Sequence, residues 1–176
     1  MRKSSLEVTI MKKILAVLSA ALLFAASAFA EGYISANDIT KGTIIDNDLA
    51  CEDGFVIHGD AEKFVVVDGG EAVSYGDETF TQRINLKGAG KAAGVRSVTF
   101  PAKKGEKVTV YTHSSSKTEA RTLVIANEAG EQVAAIAGNV STDPVSVETI
   151  TIPADGTYSA FSKKSGMYIY QIIIAK

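Results

Sequence analysis

Phe80-Thr-Gln-Arg-Ile-Asn-Leu-Lys-Gly-Ala-Gly-Lys-Ala-Ala-Gly-Val-Arg-Ser-Val-Thr-Phe100 is the stretch on which the fold turns. Two runs of strand-forming residues, 80–86 and 95–100, flank a loop with glycines at 88, 90 and 94. A period near two is the spacing of a half-buried strand, because successive side chains point to opposite faces. The same pattern extends in both directions. Phe55–His58, Lys63–Val67 and Glu71–Tyr75 precede the stretch. Lys107–His113, Arg121–Ala126, Gln132–Ile136, Val145–Ile152, Thr157–Phe161 and Met167–Ile174 follow it. Gly59-Asp60, Asp68-Gly69-Gly70, Gly76-Asp77, Asn127-Glu128-Ala129-Gly130 and Asp155-Gly156 read as turns between them, which is a hairpin pattern. Eleven short runs at roughly 8–12-residue spacing predict an all-β, antiparallel β-sandwich. Val145, Val147, Thr149 and Thr151 are expected on one face of their run, and Tyr168, Tyr170, Ile172 and Ile174 on one face of the last. Apolar residues on both faces place that last run centrally in a sheet.

Residues 1–30 read as an export signal. Lys12 and Lys13 precede the apolar run Ile14–Ala26, and Ala28-Phe29-Ala30 is a small-x-small cleavage pattern. Met11 reads as a more natural start than Met1. Cleavage after Ala30 predicts a secreted, periplasmic or cell-surface protein, and no later segment is apolar enough to span a bilayer. The expected organisation is a signal peptide at 1–30, an N-terminal arm with one or two short strands at 31–53, and the sandwich at 54–176. Cys51 is the single cysteine, so no intramolecular disulfide forms and packing or an ion must supply stability. It reads as a small buried thiol or as a reactive one.

Charge is uneven. Residues 31–79 hold 12 Asp and Glu against 2 Lys, net −10, and residues 80–176 hold 7 against 12 Lys and Arg, net +5. No dense basic block with interleaved aromatics appears, which excludes a nucleic-acid binder of the usual kind. A locally basic face would still steer an acidic polymer to it.

Catalytic motifs are absent. No Gly-x-Ser-x-Gly elbow, His-x-x-x-His or Cys-x-x-Cys occurs, and His58 and His113 lie in separate runs. The chain is therefore read as a non-enzyme. Arg83, Arg96 and Arg121 are the arginines after residue 30, one in each of three strand-like runs. Guanidinium is a planar fork that matches a carboxylate with two parallel hydrogen bonds. Each arginine either ties strands to an Asp or Glu, or joins the others on a sugar carboxylate. Alternation puts Arg83 on one face with Thr81 and Asn85, Arg96 with Val98 and Phe100, and Arg121 with Leu123 and Ile125. Tyr111, Tyr168 and Tyr170 fit a core or a sugar-stacking rim. His113 and Ser115, in His113-Ser114-Ser115-Ser116, fit a surface loop or hydroxyl contacts to a glycan. Asp46 and Asp48 fit a turn, and also offer oxygen ligands to Ca2+, the cofactor such carboxylates would hold.

Taken in order, Phe-Thr-x-Arg-Ile-x-Leu-x-Gly-x-Gly (80–90), Arg-Ser-Val-x-Phe (96–100), Val-Thr-Val-Tyr-x-x-Ser-Ser-Ser (108–116), Arg-Thr-Leu (121–123) and Gly-x-Tyr-Ile-Tyr-x-Ile-x-Ile (166–174) carry a resemblance. The chain resembles the carbohydrate-binding-type module found beside pectate lyase and pectinesterase domains in secreted bacterial plant-cell-wall enzymes. The resemblance covers roughly residues 54–176. It implies a jelly-roll-like sandwich that attaches to pectic or related polysaccharide, with Arg83, Arg96 and Arg121 as recurrent arginines. The expected ligand site is then Arg83, Arg96, Arg121, Tyr111, His113, Ser115 and Tyr170, reading an anionic glycan. Association with secreted enzymes or surface proteins follows from the same resemblance. The alternative is a structural sandwich that pairs with a partner chain and takes no glycan. A third reading, a polysaccharide lyase, needs an Arg or Lys base beside acidic calcium ligands in one cleft.

Overall fold

A computed structural model describes residues 32–176. The proposed signal peptide and its cleavage site lie outside the described residues. No helix among the described residues is long and apolar enough to cross a membrane.

Thirteen strands follow one another: β1 (Gly32–Ser35), β2 (Ile44–Ile45), β3 (Leu49–Ala50), β4 (Val56–His58), β5 (Val65–Tyr75), β6 (Glu78–Asn85), β7 (Ser97–Ala102), β8 (Lys107–Ser114), β9 (Arg121–Asn127), β10 (Gln132–Gly138), β11 (Ser146–Thr151), β12 (Gly156–Ser162) and β13 (Met167–Ala175). They pair into a seven-stranded sheet, β11-β8-β13-β6-β5-β2 with β1 also on β13, and a six-stranded sheet, β10-β9-β12-β7-β4-β3. All pairings are antiparallel. The chain is an antiparallel, jelly-roll-like β-sandwich. The residues expected as an arm are woven into both sheets, through β1 and β2 on one side and β3 on the other.

The core lies between the sheets because each strand turns its apolar alternates inward. Val65, Val67, Ile84, Val108, Val110, Ile169, Ile172 and Ile174 of one sheet meet Ile57, Val98, Phe100, Leu123, Ile125 and Tyr158 of the other. β13 sits between β8 and β6, the central position its two apolar faces predict. The Asn127–Gln132 and Tyr75–Glu78 connections are hairpins as expected. Gly76 takes φ +58 in the second, a left-handed conformation that suits glycine.

Four local expectations are corrected. Asp68-Gly69-Gly70 is not a turn; it lies inside β5, where the register shifts between Gly69 and Val73. The glycines serve close approach. A Cβ at Gly70 would stand 2.9 Å from Arg83 Nη1. Gly59-Asp60 does not close a hairpin, since β4 and β5 belong to different sheets. A Cβ at Gly59 would collide with the Ile45 carbonyl, so glycine permits the crossing. Arg96 does not alternate with Val98 and Phe100, because it takes φ +58 before β7 begins. Lastly, Tyr170 does not share a face with Ile172 and Ile174. A bulge between Ile169 and Gln171 turns Tyr170 to the outward face with Tyr168, while the two isoleucines stay in the core.

Candidate functional site

The outward face of the seven-stranded sheet carries a second, smaller cluster. Phe80, Val145 and Tyr170 are buried there, with Val73, Tyr111, Val147 and Tyr168 packed around them. Tyr111 and His113 reach this face by alternation from the inward Val108 and Val110 of β8. The far half of the β5–β6 hairpin brings Val73 and Phe80 onto it. Asn37, in the short 3-10 turn Ala36–Asp38, steadies that hairpin: its Oδ1 accepts from the Thr81 and Gln82 amides at 3.0 and 3.1 Å. The rings touch in a chain. Tyr75 meets Tyr111 edge-on at 5.8 Å, Tyr111 meets Phe80 at 5.4 Å, and Phe80 meets Tyr170 at 5.3 Å. Tyr75 is 48% exposed at the outer end of this row.

A polar chain runs beside the rings. Arg83 Nε donates to Asp68 Oδ1 at 2.5 Å, and Asn85 Nδ2 donates to Asp68 Oδ2 at 2.8 Å. The guanidinium lies 3.9 Å above the Tyr168 ring, a cation–π stack. His113 Nδ1 and the Tyr170 hydroxyl are hydrogen-bonded at 3.0 Å. His113 Nε2 is a buried atom with no hydrogen-bond partner among the described residues. Burial works against the Arg83 charge, yet the hydrogen bond it donates to Asp68 and the nearby tyrosines outweigh that and raise the pKa. Burial pushes the Tyr170 phenol up to about 12, with Arg83 pulling the other way. Burial, with Glu78 beside it, raises Tyr111 as well.

Of the seven ligand residues expected from sequence, the structure gathers Arg83, Tyr111, His113 and Tyr170 here. Arg121 and Ser115 meet elsewhere: Arg121 Nη1 donates to Ser115 Oγ at 2.7 Å and to the Gly166 carbonyl at 3.0 Å. Arg96 packs against Gly88, and its amide donates to the His58 carbonyl at 2.8 Å. The three arginines thus occupy three settings with separate partners. Asp68 and Asn85 are residues of this face that sequence reading did not single out. Asn85 was legible as the alternate of Arg83, whereas Asp68 was hidden in an apparent turn.

One further constellation crosses three segments. Asp48 Oδ2 stands 3.0 Å from His58 Nδ1, and His58 Nε2 stands 2.8 Å from Thr99 Oγ1. Carboxylate, imidazole and hydroxyl in line is nucleophile-activating geometry. Thr99, however, is mid-strand in β7 and 6% exposed, and none of the described clefts is lined by these residues. The line clamps the β2–β3 connection to β4 and β7. It also engages Asp48, one of the two carboxylates expected to offer Ca2+ ligands. Among the described residues no group of three or more His, Cys, Asp and Glu could hold a metal ion.

No protein-family model matches the chain, and no curated protein matches it. Solved structures do. The xylan-binding CBM22-1 domain of Paenibacillus barcinonensis Xyn10C is 12% identical over 84% of this chain and 95% of its own, with a TM-score of 0.47. A family 35 carbohydrate binding module from Clostridium thermocellum is 14% identical over 82% and 98%, with a TM-score of 0.45. The M60 catalytic domain with the CBM51-1 and CBM51-2 domains of Clostridium perfringens ZmpB is 9% identical over 84% of this chain, with a TM-score of 0.44. This chain spans 15% of that last structure's length.

Proposed function

We propose that the protein is a non-catalytic carbohydrate-binding sandwich that holds a glycan across the outward face of the seven-stranded sheet. One observation carries the reading: a row of tyrosine rings lies beside a preassembled Asp68–Arg83–Asn85 array on one rigid sheet. Sugars present apolar C–H faces and pairs of hydroxyls, and such a face offers a partner for each. A rigid, already bonded array loses little conformational entropy when a ligand arrives.

The finer expectation, an acidic pectic glycan read by converging arginines, finds less support. Arg83 already holds Asp68, so a uronate reaching it would displace an internal carboxylate. The reading therefore favours a neutral glycan on this face. Export to the cell exterior, expected from residues 1–30, would place the protein where plant or microbial polysaccharide is met.

The test is affinity electrophoresis and calorimetry against xylan, cello-oligosaccharides, methylated pectin and polygalacturonate at low and high salt. Tyr75→Ala and Tyr168→Ala variants run alongside the parent protein. The expected result is salt-insensitive binding of a neutral glycan, weakened about tenfold or more by either substitution with the fold intact. Parent affinity retained by both variants would discard this face, and binding of none of the glycans would discard the carbohydrate reading. A sandwich that pairs with a partner chain is the second reading. Its supporting observation is Ile44, 59% exposed on β2, which is an edge strand.

A further inference from the structure

The six-stranded sheet has a cleft of its own. About 310 Å³ in volume, it is lined by the start of β9, Gln132 of β10 and the 162–165 turn after β12. That is room for about one sugar-sized ligand. Arg121, Lys163 and Lys164 line it against a single carboxylate, Glu119. Three cations against one anion is a local excess of two positive charges, on a stretch from Glu31 to Lys176 whose net charge is −5.

The cations are held in different ways. Lys163 Nζ donates to Gln132 Oε1 at 3.1 Å, a neutral acceptor that leaves its charge uncompensated. Lys164 has no ion-pair partner among the described residues. Arg121 is anchored through Nη1 to Ser115 and Gly166, which fixes the plane of its guanidinium. Its Nε is buried and makes no hydrogen bond. Glu119 Oε2 is near that nitrogen, but at 3.6 Å it is beyond hydrogen-bond length. The Glu119 side chain is 70% exposed, while its backbone is pinned: Ser116 Oγ accepts from its amide at 3.1 Å and Ser114 Oγ donates to its carbonyl at 2.6 Å. The carboxylate can therefore swing away without moving the chain.

We infer that this cleft is an anion site, in which a ligand carboxylate displaces Glu119 from Arg121 and is flanked by Lys163 and Lys164. The Nε–Nη2 edge of a guanidinium is a two-donor fork, and a planar carboxylate fills both positions. Glu119 leaves that fork incompletely used. The exchange conserves charge at the fork, and the lysines supply the net attraction. A carboxylate-bearing sugar suits the cleft's size and the Thr122 and Ser165 hydroxyls that line it. The site stands on the opposite sheet from the tyrosine face, so either can fail without the other.

The test is a chemical-shift titration of the purified protein with sodium galacturonate at low salt, with galactose, acetate and sulfate as comparisons. The expected result is saturable shifts at the Arg121 Nε–H and the Lys163–Ser165 amides with galacturonate and not with galactose. Glu119→Gln should tighten the dissociation constant about threefold by removing the competitor, and Lys164→Ala should loosen it about twofold. Acetate binding at the same place supports the carboxylate fork. An unchanged or weaker affinity in Glu119→Gln overturns the displacement. Sulfate preferred over both carboxylates overturns the fork, and absence of saturation with any anion overturns the site. Lys164→Ala touches no internal bond, so a null result there is not a folding failure.

Discussion

On the outward face of the seven-stranded sheet, the Arg83 charge is answered from within. Arg83 has Asp68, Asn85 braces the same carboxylate, and Tyr168 covers the guanidinium. On the outward side of the six-stranded sheet, Lys163 and Lys164 have no ion-pair partner among the described residues and Arg121 has a distant one. The first face is also packed from above by the β5–β6 hairpin through Phe80. The second is covered further along by the 87–96 loop, where Ala92 packs on Val124, Ala126 and Phe161 and the Ala93 amide donates to Ser159 Oγ at 2.9 Å. The difference teaches that an arginine in a strand and a lysine in a turn are not equivalent signs of binding. A compensated charge holds the frame and offers directional hydrogen bonds; an uncompensated one attracts ions and is screened by salt.

The largest test of this contrast removes the hairpin's anchor. Phe80→Ala should cost about 3–5 kcal/mol in urea denaturation, because the ring is fully buried between Tyr111 and Tyr170. A cost under about 1 kcal/mol would mean that the tyrosine face stands without its hairpin.

Tyr170→Phe is the intermediate case. Losing the hydroxyl that hydrogen-bonds His113 should cost about 1–2 kcal/mol near neutral pH. The pH profile identifies the cause. The Tyr170 phenol rises from 10.0 unfolded to about 12 folded, so folding favours the neutral form. Its contribution is full below pH 10 and is lost as pH rises through the folded value. The parent protein should therefore lose stability between about pH 10 and 12, and Tyr170→Phe should lose less over that window. Tyr111 and Tyr33, also raised, keep part of the fall in both proteins. Parallel profiles would remove Tyr170 from the account.

The smallest effect belongs to the other sheet. A Lys163→Ala/Lys164→Ala variant should stay within about 0.5 kcal/mol of the parent in the same denaturation assay. A loss above about 2 kcal/mol would make the lysines part of the frame and erase the contrast.

Strand content and hairpins were legible in the sequence because their causes are local. Alternation in 108–113 and 145–152 needs only the strand's own pleat, and Gly76-Asp77 or Asn127–Gly130 needs only a turn's dihedral angles. Arg83 and Asn85 on one face followed from the same period. Asp68-Gly69-Gly70 misled for a physical reason: glycine also permits close approach, and what approaches, Arg83, lies across the ladder. The bulge at Tyr170 was equally invisible, since one extra residue reverses the face of everything beyond it and depends on the register against β8.

From its own residues, then, the chain determined an all-β sandwich, a central last strand and an unequal spread of charge between its halves. Which polar groups meet was decided only by tertiary structure. Asp48, His58 and Thr99 come from three segments, as do Arg121, Gln132 and Lys163. Periodicity is set within a strand, whereas partners are set by strand order and register, which long-range pairing fixes.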